Sequence, residues 1–184
     1  MTDARPDEII AIGIGAIELR RARVEHADAV AAAVLANLDH LTPWMPWANE
    51  QSCDPAFQRE RLAGTERAWD NGDEFQYVLV DGDAVIGSPG LMTRRGPDTL
   101  ELGYWLAAAQ SGRGIMTAAT RQLVEWAQTQ VTTAVIVCDA ANERSNALAR
   151  RLGFTVERTE SHPPQTPSET GIDNVWTSSR VRGR

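Results

Sequence analysis

The chain has 184 residues, which at about 150 residues per domain makes one domain and argues against two separate enzymatic units. An apolar share of 42% with 23% charged residues supports a sizeable single core without disulfide or metal staples. Twenty-five acids against eighteen bases leave a net charge of −7, which argues against nucleic acid and anionic membranes as partners and in favour of amine-bearing ones.

At the N-terminal end, Asp3, Asp7 and Glu8 precede a short apolar stretch, and nowhere do about 18 apolar residues run together. A soluble cytoplasmic protein is the expectation. Residues 9 to 20 (IIAIGIGAIELR) read as a first strand or hairpin broken at Gly13 and Gly15. From His26 the pattern turns helical, with Ala27, Val30, Ala31, Val34, Leu35 and Leu38 on one stripe, ending before Pro43. Residues 41 to 50 (LTPWMPWANE) form a loop with two prolines and two tryptophans. Asp54 and Pro55 then supply an N-cap and a first-turn proline for a helix running towards Trp69, stopped at Asn71-Gly72.

Next the period changes to two. Residues 75–80, 84–93 and 99–106 read as three successive antiparallel strands, with Pro89 implying an edge, a bulge or an early end in the middle one. Residues 115–130 place Ile115, Ala119, Leu123, Trp126 and Ala127 on one helical face, which sends Trp126 to the core. A buried strand at 134–138 follows, then a helix from Glu143 to Leu152 closed by Gly153, and a strand from Phe154. Residues 159–173 have no apolar period and read as an irregular loop before a last strand at Asn174 to Ser179. Trp69 and Trp176 have no evident role.

Cys53 and Cys138 lack CxxC spacing, and His26, His40 and His162 do not cluster, so neither a metal site nor a disulfide is expected. Cys138 reads as a small buried hydrophobe, since no histidine is placed to activate it.

Chemistry enters at Gln110-Ser111-Gly112-Arg113-Gly114-Ile115, between a strand and an amphipathic helix. Glycines there let backbone N–H groups turn towards a ligand, and the helix N-terminus adds free donors and a positive dipole end. The pattern suits a pyrophosphate. It is neither a Walker loop, since no GK[ST] follows, nor the GxGxxG of a dinucleotide fold. Downstream, Asn142 leads into a helix with Ser145 one turn on, so that both can face the end of the strand carrying Cys138. Read as structure alone, Asn142 is an N-cap and Ser145 an exposed polar residue.

Taken together, ELR (18–20), WMPW (44–47), AVIG (84–87), ELGYWL (101–106), SGRGI (111–115) and NERSNALARRLGF (142–154) carry a resemblance. From Ile17 to about Phe154 the sequence resembles the GNAT acyltransferase superfamily, and within it the RimJ/RimL-like N-acetyltransferases. The resemblance implies one domain over residues 1–184 with a mixed α/β fold. In it, about seven strands form a mixed sheet flanked by helices, and a central parallel pair splays apart to take acetyl-CoA in the V. It implies that Ser111, Gly112, Arg113, Gly114, Ile115 and Met116 hold the pyrophosphate, and that backbone at Trp105 and Leu106 pairs with the pantetheine arm. Ser145 matches the residue that protonates the departing thiolate, and with Asn142 it contacts CoA. Trp44, Met45 and Trp47 match the loop that roofs the acceptor. No metal is implied.

The chain departs from the family pattern at Ser111, where Arg or Gln is usual, at Met116, where Gly or Ala is usual, and at Ala108, where Pro is common. The relatives' general-base glutamate falls at Pro164. Glu101, which alternates with Gly103 and Trp105 on one strand face, is the candidate catalytic carboxylate, with Glu160 and His162 on the loop as others. A strong base is not demanded if the acceptor is an α-amine, whose pKa of about 7.7–8.0 leaves roughly a tenth neutral at pH 7, against less than about one in a thousand for a lysine near 10.4.

The expected activity is transfer of an acetyl group from acetyl-CoA to a primary amine, either a protein N-terminus or a small amine. The alternatives are a CoA-binding module of the same fold with little catalysis, and a nucleotide-phosphate binder. Acceptor identity and a family-type homodimer stay open at this point.

Overall fold

The computed structural model describes residues 5–179, apart from 97 and 132. Its eight strands form one sheet in the order β1 (Ile9–Ala11), β2 (Glu18–Arg21), β3 (Glu74–Asp81), β4 (Ala84–Met92), β5 (Thr99–Leu106), β6 (Thr133–Asp139), β8 (Ile172–Ser179), β7 (Thr155–Ser161). Five helices flank it: α1 (Ala27–Leu35), α2 (Leu38–Leu41), α3 (Pro55–Asn71), α4 (Ile115–Gln130) and α5 (Glu143–Arg151).

Local chemistry sets most of these boundaries. Asp54 caps α3 by accepting from the Ala56 N–H at 2.8 Å, Pro55 occupies the first turn, and Gly72 ends the helix at φ +81°, a left-handed conformation that glycine adopts without steric cost. The helix expected from His26 to Pro43 is two helices. Asn37 breaks it, donating its side-chain amide to the Ala33 carbonyl at 2.8 Å while its Oδ1 accepts from the Ala108 N–H at 2.9 Å. A polar side chain that bonds backbone competes with the helical ladder, and here it pins the α1–α2 corner to the end of β5.

Pro89 lies neither at an edge nor at a strand end, because β4 runs on to Met92 between β3 and β5, and the register shift falls nearby, opposite Leu79 and Val80. The Gln76 carbonyl accepts from Ala22 on the β2 side, so the Tyr77 carbonyl faces β4, where Pro89 has no N–H to give. The Ser88 hydroxyl donates to that carbonyl instead, which is why a proline is tolerated inside this sheet.

Period-two alternation buries both faces of the sheet. Phe75, Tyr77 and Leu79 join Leu123 and Ala127 of α4 in one core cluster, while Val78 and Val80 join Val30 and Val34 of α1 and Leu62 of α3 in another. Trp69 is only 1% exposed and meets Phe75 and Tyr77 edge-on at 5.3 and 5.0 Å, with the Arg21 guanidinium 5.0 Å from its ring. Trp126 is half-buried at the margin of this core, edge-on to Phe75 at 5.0 Å.

The irregular loop is shorter than expected, since β7 extends to Ser161 and β8 begins at Ile172. Cross-strand pairing of Glu160 with Asp173 and of Ser161 with Ile172 supplies the order that periodicity did not signal. The remaining residues, 162–171, are anchored at both sides. Asp139 accepts from the Thr170 N–H at 2.7 Å and the Gly171 N–H at 3.1 Å, and the Thr166 hydroxyl donates to the Pro43 carbonyl at 2.7 Å.

Candidate active site

One parallel pair interrupts the antiparallel sheet, and it holds for only three residues: Thr99, Leu100 and Glu101 of β5 pair with Thr133, Ala134 and Val135 of β6. Beyond Glu101, β5 stays bonded to β4 up to Leu106, while β6 is bonded to β8 up to Asp139. The edge of β5 that faces β6 therefore has no strand partner from Leu102 to Leu106 among the described residues, and the two strands open into a V. A cavity of about 1950 Å³ occupies this opening. Its lining joins Trp105 and Leu106, the turn at Ser111, Gly112 and Gly114, the first residues of α4, Asn142 and Ser145 at the start of α5, and the Trp44–Trp47 loop.

Alternation along β5 gives the cavity two sides. Leu102, Tyr104 and Leu106 face the core shared with α4 and α5, whereas Trp105 faces that of α1 and α3, with its ring 6.3 Å from that of Trp47. Glu101 shares the parity of Trp105. A donor on the first side and an acceptor on the second would meet at β5.

On the first side, the turn before α4 has the shape of an anion cradle. Gly112 and Gly114 stand at φ +79° and +75°, and beyond its chain neighbours a Cβ on either would meet no atom of the described residues within 4 Å, so their open faces point into free space. Gly114 is the N-cap of the sixteen-residue α4, whose first N–H groups carry the positive dipole end. Ile115 and Met116 are buried and anchor the helix, while Arg113 bonds the Gln110 side chain at the surface. With the unpaired β5 edge beside them, these residues fit a pyrophosphate on the turn and an extended amide-bearing arm along the strand.

Ser145 is set by its own helix. The Asn142 side chain accepts from the Ser145 N–H at 3.1 Å as the N-cap of α5. The Ser145 hydroxyl lies 2.6 Å from that of Tyr104. Burial pushes the Tyr104 phenol far above its ordinary value, the bond from Ser145 opposing it, so Tyr104 stays a neutral O–H at any physiological pH. Behind them Asn146, 2% exposed, receives bonds from Trp176 Nε1 and Asn174 Nδ2, both at 2.9 Å, and donates to the carbonyls of Asp139 and Asn142 at 3.0 and 2.9 Å. This clamp holds α5 against β6 and β8 and gives Trp176 its place.

Cys138 is buried, its thiol pushed up by desolvation, and its sulfur bonds Asn146 Oδ1 at 3.4 Å. Among the described residues no group of three or more His, Cys, Asp or Glu is placed to hold a metal ion, and no helix is long and apolar enough to cross a membrane.

The candidate bases are all engaged. Glu101 is 4% exposed and accepts from Arg94 and, at 2.7 Å, from Arg95. Burial alone would raise its carboxyl, but the two guanidinium groups outweigh that and hold it below the usual carboxylate range. Glu160, on β7 rather than in the loop, accepts from Arg158 and Arg95, which hold it low as well. His162 does lie in the loop and lines the cavity; its Nδ1 is 2.9 Å from the Pro163 carbonyl and its Nε2 3.2 Å from Asp173 Oδ2, contacts that push its pKa up.

Replacing Glu101 by Gln is expected to lower stability by about 2 kcal/mol, a Tm fall of roughly 4–8 °C, because two guanidinium groups lose their buried partner. Since the Glu101 pKa is lower in the fold than in the unfolded chain, this contribution is complete above the unfolded value of about 4.3 and fades as pH falls through the folded one. Melting curves of both proteins between pH 3 and 8 check it: the gap should close at the acid end.

Tyr104, Arg94 and Arg95 were not singled out from the sequence. The strand reading contained a signal for Tyr104, since its parity within ELGYWL opposes that of Glu101 and Trp105. Nothing local marked the arginines, whose role comes from β5 passing beside their turn.

Comparison with known proteins places this geometry. A family model described as acetyltransferase (GNAT) domain matches residues 16–155. The chain is 28% identical over 149 residues, 77% of its length and 79% of the relative's, to a protein named as a ribosomal N-acetyltransferase, YdaF, of Bacillus subtilis. Over 103 residues, 54% of the chain and 57% of the relative, it is 39% identical to the ribosomal-protein-serine acetyltransferase of Escherichia coli. Among solved structures it superposes on RimL, the ribosomal L7/L12 α-N-protein acetyltransferase in complex with coenzyme A, with a TM-score of 0.84 at 25% identity, covering 94% of this chain and 98% of that one. The fold is shared as well with the ribosomal-protein-S5-alanine acetyltransferase of Vibrio fischeri, at TM-score 0.86, 20% identity and coverage of 97% and 100%. The V-shaped opening, the glycine turn and these likenesses agree: the chain belongs to the GNAT acetyltransferase family, in its RimJ/RimL-like branch, and is an acetyl-CoA-dependent N-acetyltransferase.

Proposed function

We propose that the acceptor is the N-terminal α-amino group of a protein, acetylated in a ternary complex in the cytoplasm. The observation that carries this reading is the state of the carboxylates: Glu101 and Glu160 are each bonded to two arginines and held low, so neither is a strong base. An acceptor already partly neutral near pH 7 suits such a site, and that describes an α-amine rather than a lysine side chain. Relatives named for ribosomal proteins, one of them an α-N-protein acetyltransferase, support the same class.

The chain's residues divide the work as follows. Gly112, Gly114 and the first turn of α4, with Ser111, Arg113, Ile115 and Met116 around them, hold the pyrophosphate, and the backbone of Trp105 and Leu106 aligns the thioester arm and polarises its carbonyl. Trp44, Met45 and Trp47 wall the acceptor from the other side of β5. Asn142 fixes the start of α5 beside the cofactor. As the C–N bond forms and the C–S bond breaks, the amine sheds its proton to water and the Ser145 hydroxyl protonates the departing sulfur; Ser145 takes a proton through the Tyr104 hydroxyl, which takes one from cleft water in turn, so that both hydroxyls end neutral.

The test is an acceptor screen with acetyl-CoA, reading CoA release across N-terminal peptides, Nα-blocked lysine peptides, free amino acids, polyamines and aminoglycosides. Free N-terminal peptides should be turned over at least tenfold faster than Nα-blocked lysine peptides. The acid limb of kcat/KM should follow the acceptor's own amine, near 7.7–8.0 for α-amines. Preference for lysine or polyamines, or a limb near pH 4–5 whatever the acceptor, would overturn the reading.

A further inference from the structure

The acceptor side of β5 carries a built recognition group that the chemistry above does not use. Three positions in register across the sheet, Gln76 of β3, Gly90 of β4 and Gly103 of β5, form its floor. Both glycines are covered by flat-lying neighbours: a Cβ on Gly90 would stand 2.1 Å from Gln76 Oε1 and one on Gly103 2.9 Å from Met92 Cε, so glycine is what lets the amide and the methionine lie over the strands as the floor. The Gln76 amide is held there by donating to Ser88 Oγ at 2.8 Å. The outcome is a trough beside Trp44, Trp105 and Glu101, open to the cavity.

Arg61 of α3 lines the same cavity. Its Nε donates to Gln58 Oε1 at 2.7 Å, and Gln58, 1% exposed, is itself fixed by donating to the Ser52 carbonyl at 2.6 Å. One edge of the guanidinium is thus locked by a buried support, while its two terminal nitrogens have no acceptor among the described residues. No carboxylate stands within ion-pair distance of it among those residues either, although Arg94 and Arg95 in the same wall both have Glu101. Arg61 is itself exposed, so its outer N–H groups are open to a ligand entering from the cavity. A preorganised fork with its outer N–H groups unused matches a carboxylate in bidentate geometry. The sign is also opposite to the chain's net charge of −7, so it is a local feature of the trough.

We infer that Arg61 binds a carboxylate of the acceptor, carried on an acidic side chain in its first few residues or on the α-carboxylate of a short acceptor, and that it thereby selects among N-terminal amines. The inference rests on the α-amine reading above. It refines the preference drawn from net charge: the amine is cationic before reaction, and a negative group accompanies it.

Steady-state kinetics on the full chain, with saturating acetyl-CoA, test it. Two acceptor pairs are compared: octapeptide amides with Asp or Ala at the second and third positions, and a dipeptide as free acid or amide. For wild type, the carboxylate-bearing member of at least one pair should have a KM about tenfold lower, and the responding pair tells which carboxylate is read. In Arg61→Gln that advantage should vanish with kcat and the acetyl-CoA KM within twofold of wild type, while Arg61→Lys keeps part of it. Thermal stabilisation of Arg61→Gln by CoA, equal to that of wild type, shows the variant is folded. Indifference of wild type to both pairs, or equal loss on acidic and neutral acceptors in Arg61→Gln, would overturn the inference and leave the α-amine reading standing. Failure to acetylate any N-terminal acceptor removes both.

Discussion

Replacing Gly112 and Gly114 together by alanine is expected to raise the KM for acetyl-CoA by about 100-fold, with a parallel loss of CoA affinity by calorimetry. Both residues sit in the left-handed region, at φ +79° and +75°, where a Cβ costs roughly 1–2 kcal/mol per residue, so the doubly substituted turn relaxes to another conformation. Relaxation redirects the N–H groups that the turn and the first residues of α4 present to a pyrophosphate, and that loss reaches binding directly. Beyond its chain neighbours, a Cβ at either position meets no atom of the described residues within 4 Å, so the core need not move and α4, anchored by Ile115, Ala119 and Leu123, stays folded. Far-ultraviolet dichroism should therefore be unchanged while the KM rises. Unchanged CoA affinity in the double variant would remove the turn from the binding site. Ser111→Arg, restoring a charge common in the family, should move affinity the other way by a few-fold at low salt, since an exposed charge near a phosphate is screened.

The second large effect is expected at Ser145. Ser145→Ala should lower kcat by about 100-fold, within the range ascribed to a positioned general acid, with the acetyl-CoA KM little changed. Tyr104→Phe should lose less, since its hydroxyl acts through Ser145 at 2.6 Å. The double variant should be barely worse than Ser145→Ala alone, because groups acting in one relay are non-additive. A leaving-group test separates chemistry from structure: an acyl donor whose thiol is more acidic needs less protonation, so the Ser145→Ala deficit should shrink with it. Full turnover by Ser145→Ala on the natural donor would exclude the acid role. Loss of CoA binding in step with kcat would mark Ser145 as a binding residue only.

Much of the architecture was legible in the chain because it is written locally. The switch from a period of three to four to a period of two between Asn71 and Phe75, the Asp54-Pro55 start of α3 and the glycine stop at Gly72 are short-range signals, and they hold. The family resemblance rested on segments that the fold brings together: SGRGI at the head of α4, NERSN at the head of α5 and ELGYWL on the strand between their ends. Three elements needed the tertiary structure to be read. Pro89, whose missing N–H implies an edge, a bulge or an early end, has a register shift close by in its strand but lies inside the sheet, where Ser88 reaches the Tyr77 carbonyl. Asn37 splits the first helix because Ala108, 71 residues away, offers it an N–H. The loop begun at 159 starts instead at 162, since Glu160 and Ser161 find partners on β8.

The sequence by itself therefore determined the class of fold, the position of the glycine turn and the family, since each depends on the φ/ψ demands, periodicity and spacing of neighbouring residues. The electrostatic state of the site was decided by tertiary structure alone. Glu101 alternates on its strand as a candidate base would, yet Arg94 and Arg95 close on it from the adjoining turn and hold it ionised and occupied. Tyr104 meets Ser145 across 41 residues, and buried Gln58 holds the ε edge of Arg61, whose outer nitrogens have no acceptor among the described residues. Whether a charged side chain is a base, a brace or a binding fork depends on which opposite charges and donors lie within about 4 Å of it, and such distances belong to the packed chain, not to spacing along it.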